Sequence, residues 1–195
     1  MSNSVETVKQ KPRVAFQGER GAFSEEAALK LLGDEIELVP QRTFAALFDS
    51  LKTGVADYLV APVENSIAGI VEPSVSRIRA NSFIILKQLE LQIDQHLIGY
   101  PGAELDMLEA VQSHPMALAQ CKRFFERHPK IKSVTADDTA GSVAEIMNRK
   151  DLKVAAIAGR HAAEFYGGKI LLESIQDQTS NHTRFVLLSV KEQSS

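Results

Sequence analysis

The 195-residue sequence predicts an α/β protein with largely parallel sheets. Three observations carry that prediction. Short apolar runs of strand length alternate with longer segments of helical periodicity. Helical segments begin on Ser, Thr, Asp or Pro, and several end on Gly. Repeated β-α-β passages of this kind build parallel sheets covered by helices.

Each element can be justified in order. Arg13 to Gln17 (RVAFQ) is a short apolar run and reads as a strand. A Gly-bounded turn follows, then a helix over 24–32 with Ser24 as N-cap and acidic residues in its first turn. Ile36 to Pro40 is a second strand. Thr43 caps a helix that Gly54 ends. Tyr58 to Val63 is a buried strand, and Phe83 to Ile93 alternates apolar and polar positions as a half-exposed strand does.

A second series begins near Asp94. Strands are expected over 95–99, 108–112, 131–135, 153–158 and 170–175, with a last one over 183–190. Pro115 opens a helix to about Arg127. Asp138 or Thr139 caps another to about Arg149, and a short helix over 160–166 stops at Gly167-Gly168. No low-complexity linker or sequence repeat divides the chain. The stretch around 83–99 carries it from one lobe to the other. A flexible tail over 1–11 is expected, followed by a first lobe from residue 12 to 93 and a second from 94 on.

Composition narrows the function. The chain is 44% hydrophobic and 24% charged, with a formal net charge of −3, which is an ordinary globular composition. No basic excess points to nucleic acid or to an anionic membrane surface. An anion site must therefore be built locally, from a few basic groups and backbone N–H donors. Cys121 is the single cysteine and excludes an internal disulfide framework. The first ten residues lack the apolar core of a signal peptide, and no apolar run approaches the ~18 residues that span a bilayer. A cytoplasmic location is expected. The five histidines lack metal-ligand spacing, so no metal is expected.

Four segments can carry chemistry. Gln17 to Ser24 (QGERGAFS) joins a strand to a helix start, where backbone N–H groups can approach an anion. It also reads simply as a tight β-α turn. It is neither a P-loop nor a full dinucleotide fingerprint. Pro62 to Gly69 (PVENSIAG) ends a strand in Glu64, Asn65 and Ser66, which serve equally as ligand contacts or helix caps. Ser113 to Cys121 (SHPMALAQC) joins a strand end to a helix; Ser113 and His114 do not make a hydrolase triad, which geometry and roles define. Asn181 to Phe185 (NHTRF) offers a hydroxyl on Thr183 and a carboxylate-matching fork on Arg184. On a strand those two neighbours face opposite ways. Alone, this last segment reads as a surface strand.

Together and in order, these segments resemble the prephenate dehydratase family. The resemblance covers roughly residues 12–190 and rests on FQGxxGAFS, PVENSxxG, SHPxALAQC, Asp138-Thr139-Ala140, Ala155 to Ala158 and NHTRF. It implies two α/β lobes like those of type II periplasmic binding proteins, with the chain end returning to the first, so that the first lobe spans 12–93 plus 178–192 and the second 94–177, and with the active site in the cleft between them. It implies conversion of prephenate to phenylpyruvate, carbon dioxide and water without a cofactor. It places Thr183, Asn65, Gln120 and Ser113 at catalytic positions. Within the same segments Arg184, Glu64, Ser66, Ser24 and His114 are expected substrate contacts; Arg184 is expected to hold the side-chain carboxylate, because tight binding of the departing ring carboxylate would oppose its loss. It implies self-association, with a dimer as the expected assembly. Position 116 is Met where the family usually has Gln, which puts a polar contact there in question. The residues after Val190 leave no room for the phenylalanine-binding ACT domain that many relatives carry, so no ACT-mediated inhibition is expected. Two other readings stand beside this one: the same chemistry on arogenate, and a non-catalytic small-anion binding protein.

Overall fold

A computed structural model describes residues 10–190 of the chain. The expected N-terminal tail therefore lies, as far as residue 9, outside the described residues. Two sheets organise the fold. The first has strand order β2-β1-β3-β11-β5, with β4 paired to β3. Its strands are β1 (Arg13–Gln17), β2 (Glu37–Gln41), β3 (Tyr58–Asn65), β4 (Gly69–Ile70), β5 (Phe83–Gln92) and β11 (His182–Val190). The second has order β10-β6-β9-β7-β8. It comprises β6 (His96–Gly99), β7 (Ala110–Ser113), β8 (Lys132–Thr135), β9 (Val154–Ala158) and β10 (Lys169–Leu172).

The central strands are buried on both faces, which explains their unbroken apolar runs. Val14, Ala15 and Phe16 of β1 are fully buried. Along β11, Phe185 and Leu187 pack with Val14 and Val60 under α1 (Phe23–Leu32). Val186 and Leu188 pack on the opposite face, with Leu47, Phe48 and Leu51 of α2 (Phe44–Lys52). That alternation is the two-residue period of a strand sandwiched between helices. The second sheet is covered likewise. Val143 and Ile146 of α6 (Thr139–Arg149), with Ala162 and Ala163 of α7 (Arg160–Tyr166), close one face. Ala117 and Leu118 of α4 (Pro115–Ala119) and Phe124 of α5 (Lys122–Arg127) close the other.

Four expectations need correction. The sheets are mixed, not largely parallel. β11 returns from the second sheet to run antiparallel between β3 and β5, and β6 runs antiparallel to both β9 and β10. The N-cap of α1 is Ala22, not Ser24, which lies inside the first turn. The expected helix over 115–127 breaks at Cys121, because the Asp177 carboxylate accepts the N–H groups of Lys122 and Arg123 and starts α5 afresh. Sequence reading missed α3 (Glu72–Arg79), a short polar helix with Pro73 in its first turn.

The two halves touch directly beside the start of α1. A side chain on Gly21, which has φ +83°, would come within 2.8 Å of Ala162 Cα. The Phe23 ring packs against Gly159, and the Arg20 guanidinium stacks over Phe165 at 4.5 Å. Glycine at 21 and 159 is what allows this close approach.

Candidate active site

The cleft opens where β1 and β3 end and where α1, α4 and α6 begin. A cavity of about 310 Å³ lies there. Ser24, Asn65 and Thr183 face it from the first sheet and its helices; Gln95, His114, Gln120 and Asp138 face it from the other side. Phe23, Pro62, Ile93 and Phe185 supply apolar wall. A second cavity of about 500 Å³ shares Gln17 and Asp138 with it and is lined by Glu19, Arg42, Asp137 and Glu145.

A β-bulge decides which side chains meet in the smaller cavity. On β3, Tyr58 and Val60 pack toward α1, and Pro62 reaches the cavity on the same face. Strict alternation would bring Glu64 there next. Instead the register against β11 shifts, with Phe185 opposite Pro62 but Arg184 opposite Glu64. The extra residue flips the alternation. Asn65 therefore lies opposite Thr183 on the cavity side.

Asn65 is the centre of the polar network. Its Nδ2 donates to Thr183 Oγ1 at 2.9 Å, to Asn181 Oδ1 at 2.8 Å and, more weakly, to the His182 carbonyl at 3.2 Å. Its Oδ1 accepts the N–H groups of Ile67 and Ala68 and so holds the turn that follows β3. Thr183 is 8% exposed. Its oxygen accepts from Asn65, and its own O–H has no acceptor among the described residues, so that hydrogen is available to the cavity. Asn181 is fully buried and donates to Gln120 Oε1 at 3.3 Å. A continuous path thus links Gln120, Asn181, Asn65 and Thr183 across the cleft.

His114 faces the same cavity. Its Nδ1 accepts the Met116 N–H at 3.2 Å, which leaves the neutral ring's proton on Nε2. Met116 also lines the cavity. Ser24 is 94% buried, faces the cavity and has no hydrogen-bond partner for its hydroxyl among the described residues.

Four other expected site residues lie elsewhere. Arg184 points to the opposite face of β11, where it pairs with Glu64. Both side chains are about half exposed and neither lines the cavity. The alternation of Thr183 and Arg184 along the strand is the physical reason. Ser66 is exposed; its hydroxyl accepts the His182 N–H at 3.0 Å and fixes the start of β11. Ser113 is fully buried and donates to the Ile157 carbonyl at 2.6 Å, tying β7 to β9 behind the cavity wall.

Sequence reading missed Asn181 and Gln95. Asn181 heads the NHTRF segment, which was its only signal. Gln95 is buried at the crossover, where its N–H donates to Gln176 Oε1. Asp138 was legible as the cap of α6, and its carboxylate does accept the Gly141 N–H. Burial, with Glu19 nearby, raises its pKa above the ordinary carboxylate value, against the opposing pull of the N–H groups it accepts. It is the one Asp, Glu, Lys or Arg among the residues lining the smaller cavity. Cys121 is buried in the core, which pushes its thiol up to about 12. Among the described residues no group of three or more His, Cys, Asp or Glu is placed to hold a metal ion.

A mixed α/β protein of two halves, with a polar network spanning a partly apolar cleft, is the class the geometry defines. The comparisons place it further. The family model for prephenate dehydratase matches residues 14–193, and the chain belongs to that family. An arogenate dehydratase/prephenate dehydratase of Arabidopsis thaliana is 36% identical over 179 residues, covering 92% of this chain and 45% of that protein. A bifunctional chorismate mutase/prephenate dehydratase of Stutzerimonas stutzeri is 32% identical over 186 residues, 95% of this chain and 50% of that protein. The chain thus spans about half the length of these curated relatives. Among solved structures, the prephenate dehydratase of Arthrobacter aurescens in complex with L-Phe superposes with a TM-score of 0.82 at 28% identity. The match covers 92% of this chain and 60% of that one. GqqA, described as a novel type of quorum quenching acylase, superposes with a TM-score of 0.79 at 27% identity over 92% of this chain and 64% of that one.

Proposed function

We propose that this chain converts prephenate to phenylpyruvate. The observation that carries the reading is the Thr183 hydroxyl, held by Asn65 Nδ2 and free to donate into a cavity with apolar walls. The chemistry asks for little more. Prephenate loses its ring carboxylate as carbon dioxide, and the bonding pair enters the ring. The ring C–O bond breaks as the ring becomes aromatic. The departing oxygen leaves as water, so one proton is taken up overall. Aromatisation supplies the driving force, and no covalent intermediate is needed.

Thr183 then stabilises the charge that builds on the departing oxygen. A threonine hydroxyl is too weak an acid to end as an alkoxide, so its part is a hydrogen bond in the transition state with the net proton drawn from solvent. His114 Nε2–H is a second donor in the same cavity. Phe23, Pro62 and Phe185 keep the forming ring in a dry environment, where such hydrogen bonds are worth more than in water.

One observation favours a second substrate. Asp138 puts a carboxylate on the cavity wall, a partner suited to the ammonium of arogenate. Arogenate in place of prephenate is therefore the alternative substrate of the same site. Self-association belongs to the proposal. Edge strand β5 exposes Ile84, Ile85 and Leu86, apolar surface that a second copy would cover. The test of function is incubation with prephenate or arogenate at neutral pH. Phenylpyruvate, read by its absorbance in alkali, or phenylalanine must form above the spontaneous background. Neither product forming would refute the reading.

A further inference from the structure

The cavity poses a charge problem. The proposed substrate carries two carboxylates, yet no Lys or Arg lines the cavity. Arg184, the expected anchor, is paired with Glu64 on the other face of the strand. A carboxylate held there must find its donors on the backbone or on neutral side chains.

The N-terminus of α1 supplies them. This ten-residue helix starts without a side-chain cap, because Ala22 occupies the N-cap position. Most helix starts use Ser, Thr, Asp or Asn there to satisfy free amides. Here the N–H groups of Phe23, Ser24 and Glu25 have no hydrogen-bond partner among the described residues. Ala22, Phe23 and Ser24 all line the cavity. The Ser24 hydroxyl, on a residue only 6% exposed, is likewise unpartnered and faces the same space. That hydroxyl opens onto the cavity, where a ligand can take its hydrogen bond.

The first-turn acids do not block the site. Glu25 is turned back to accept the Gly21 N–H and both contacts of Arg20 Nε, and Glu26 pairs with Lys30. Asp138 lies on the same cavity wall, where its carboxylate accepts the Gly141 N–H at the start of α6.

We propose that the uncapped N-terminus of α1, together with the Ser24 hydroxyl, is the subsite that holds the substrate carboxylate retained in the product. This rests on the dehydratase reading above. The carboxylate that departs as carbon dioxide then lies away from these donors, because tight ground-state binding of it would oppose its loss. A helix N-terminus favours anions through its free N–H groups and its dipole. Neutral donors also leave Asp138 free of competition from a buried cation.

The test uses 3-phenylpropionate and its uncharged amide as probes, with binding to the full chain measured by calorimetry. Two variants act on the subsite in different ways. Ser24→Ala removes the hydroxyl. Ala22→Ser adds a side-chain cap that accepts the Ser24 or Glu25 N–H and so raises the melting temperature. Wild type binds the acid more tightly than the amide, and each variant loses about tenfold or more of that preference, the effect of a hydrogen bond to a charged group. KM for the turned-over substrate rises in parallel with little change in kcat. Equal binding of acid and amide by wild type, or binding of neither, overturns the proposal. So does an acid preference that survives both substitutions. If Ser24→Ala melts early, Ala22→Ser decides alone. Turnover without carboxylate preference defeats the subsite and leaves the dehydratase reading standing; carboxylate preference without turnover does the reverse.

Discussion

Asn65→Asp keeps the shape of the side chain and inverts the polarity of its inner half. The outer oxygen still accepts the Ile67 and Ala68 N–H groups, so the turn after β3 survives. The inner atom changes from donor to acceptor and faces three oxygens, those of Asn181, His182 and Thr183, at 2.8–3.2 Å. Thr183 can answer by turning its O–H onto the new carboxylate. That removes its hydrogen from the cavity. Asn181 can turn its amide to donate, losing its contact with Gln120. The His182 carbonyl has no such adjustment. One or two unsatisfied polar groups at about 1–3 kcal/mol each suggest a loss of about 2–3 kcal/mol. At this chain length that lowers Tm by about 4–12 °C. Activity should fall further than stability, by about 10²–10⁴ in kcat, the usual range for a misplaced proton donor. The assay is phenylpyruvate formation, with Tm measured beside it. The crowding oxygens raise the pKa of the introduced carboxyl, and its protonated form regains a donor, so the ratio of variant to wild-type rate should climb as pH falls. A kcat within threefold of wild type, in a protein with lowered Tm, would refute the claim that Asn65 orients Thr183.

Three further outcomes follow from the same geometry. Arg184→Ala should leave kcat/KM within about twofold and stability within about 1 kcal/mol, since a half-exposed ion pair contributes little; a tenfold rise in KM would return Arg184 to the site. Stability should depend on pH through Glu25 and His161, whose Oε1 and Nε2 lie 3.4 Å apart between the two halves. Burial pushes Glu25 upward, but contact with His161, Arg20 and the Gly21 N–H leaves its pKa below 4.5. The Glu25 carboxylate outweighs burial at His161 and holds that pKa above 6.5. Glu25's contribution is full above 4.5 and fades as pH falls through its lowered value, while that of His161 is full below 6.5 and fades as pH rises through its raised value. Urea denaturation should therefore show wild type exceeding His161→Gln most between 4.5 and 6.5; a difference independent of pH would contradict the pairing. Cys121, with a thiol pushed up to about 12, should resist alkylation in the native state and react on unfolding; rapid labelling under native conditions would contradict its burial.

Much of the fold was legible because its signals are local. Strand runs such as RVAFQ and caps such as Thr43 and Asp138 act within a few residues, and the structure places them as read. Strand direction was not legible. The antiparallel seating of β11 between β3 and β5 depends on a contact more than a hundred residues away in sequence. The helix break at Cys121 likewise depends on Asp177. The site shows the same division. Asn65, Thr183, Gln120, Ser24 and His114 were singled out and do share one cavity. Glu64 and Arg184 were grouped with them because they are sequence neighbours; the bulge in β3 turns Glu64 to the other face, and the alternation of β11 turns Arg184 there. Asn181, buried and bridging, carries no chemistry that a sequence alone would single out.

The central claim is that Thr183 works on the departing hydroxyl of a prephenate-type substrate. The most direct measurement is turnover of prephenate and of arogenate by wild type, Thr183→Ser and Thr183→Ala, with Tm recorded for each. The account predicts product from wild type, reduced but real turnover by Thr183→Ser, and loss of turnover by Thr183→Ala in a protein that still melts cooperatively. Full activity in a folded Thr183→Ala variant would contradict it.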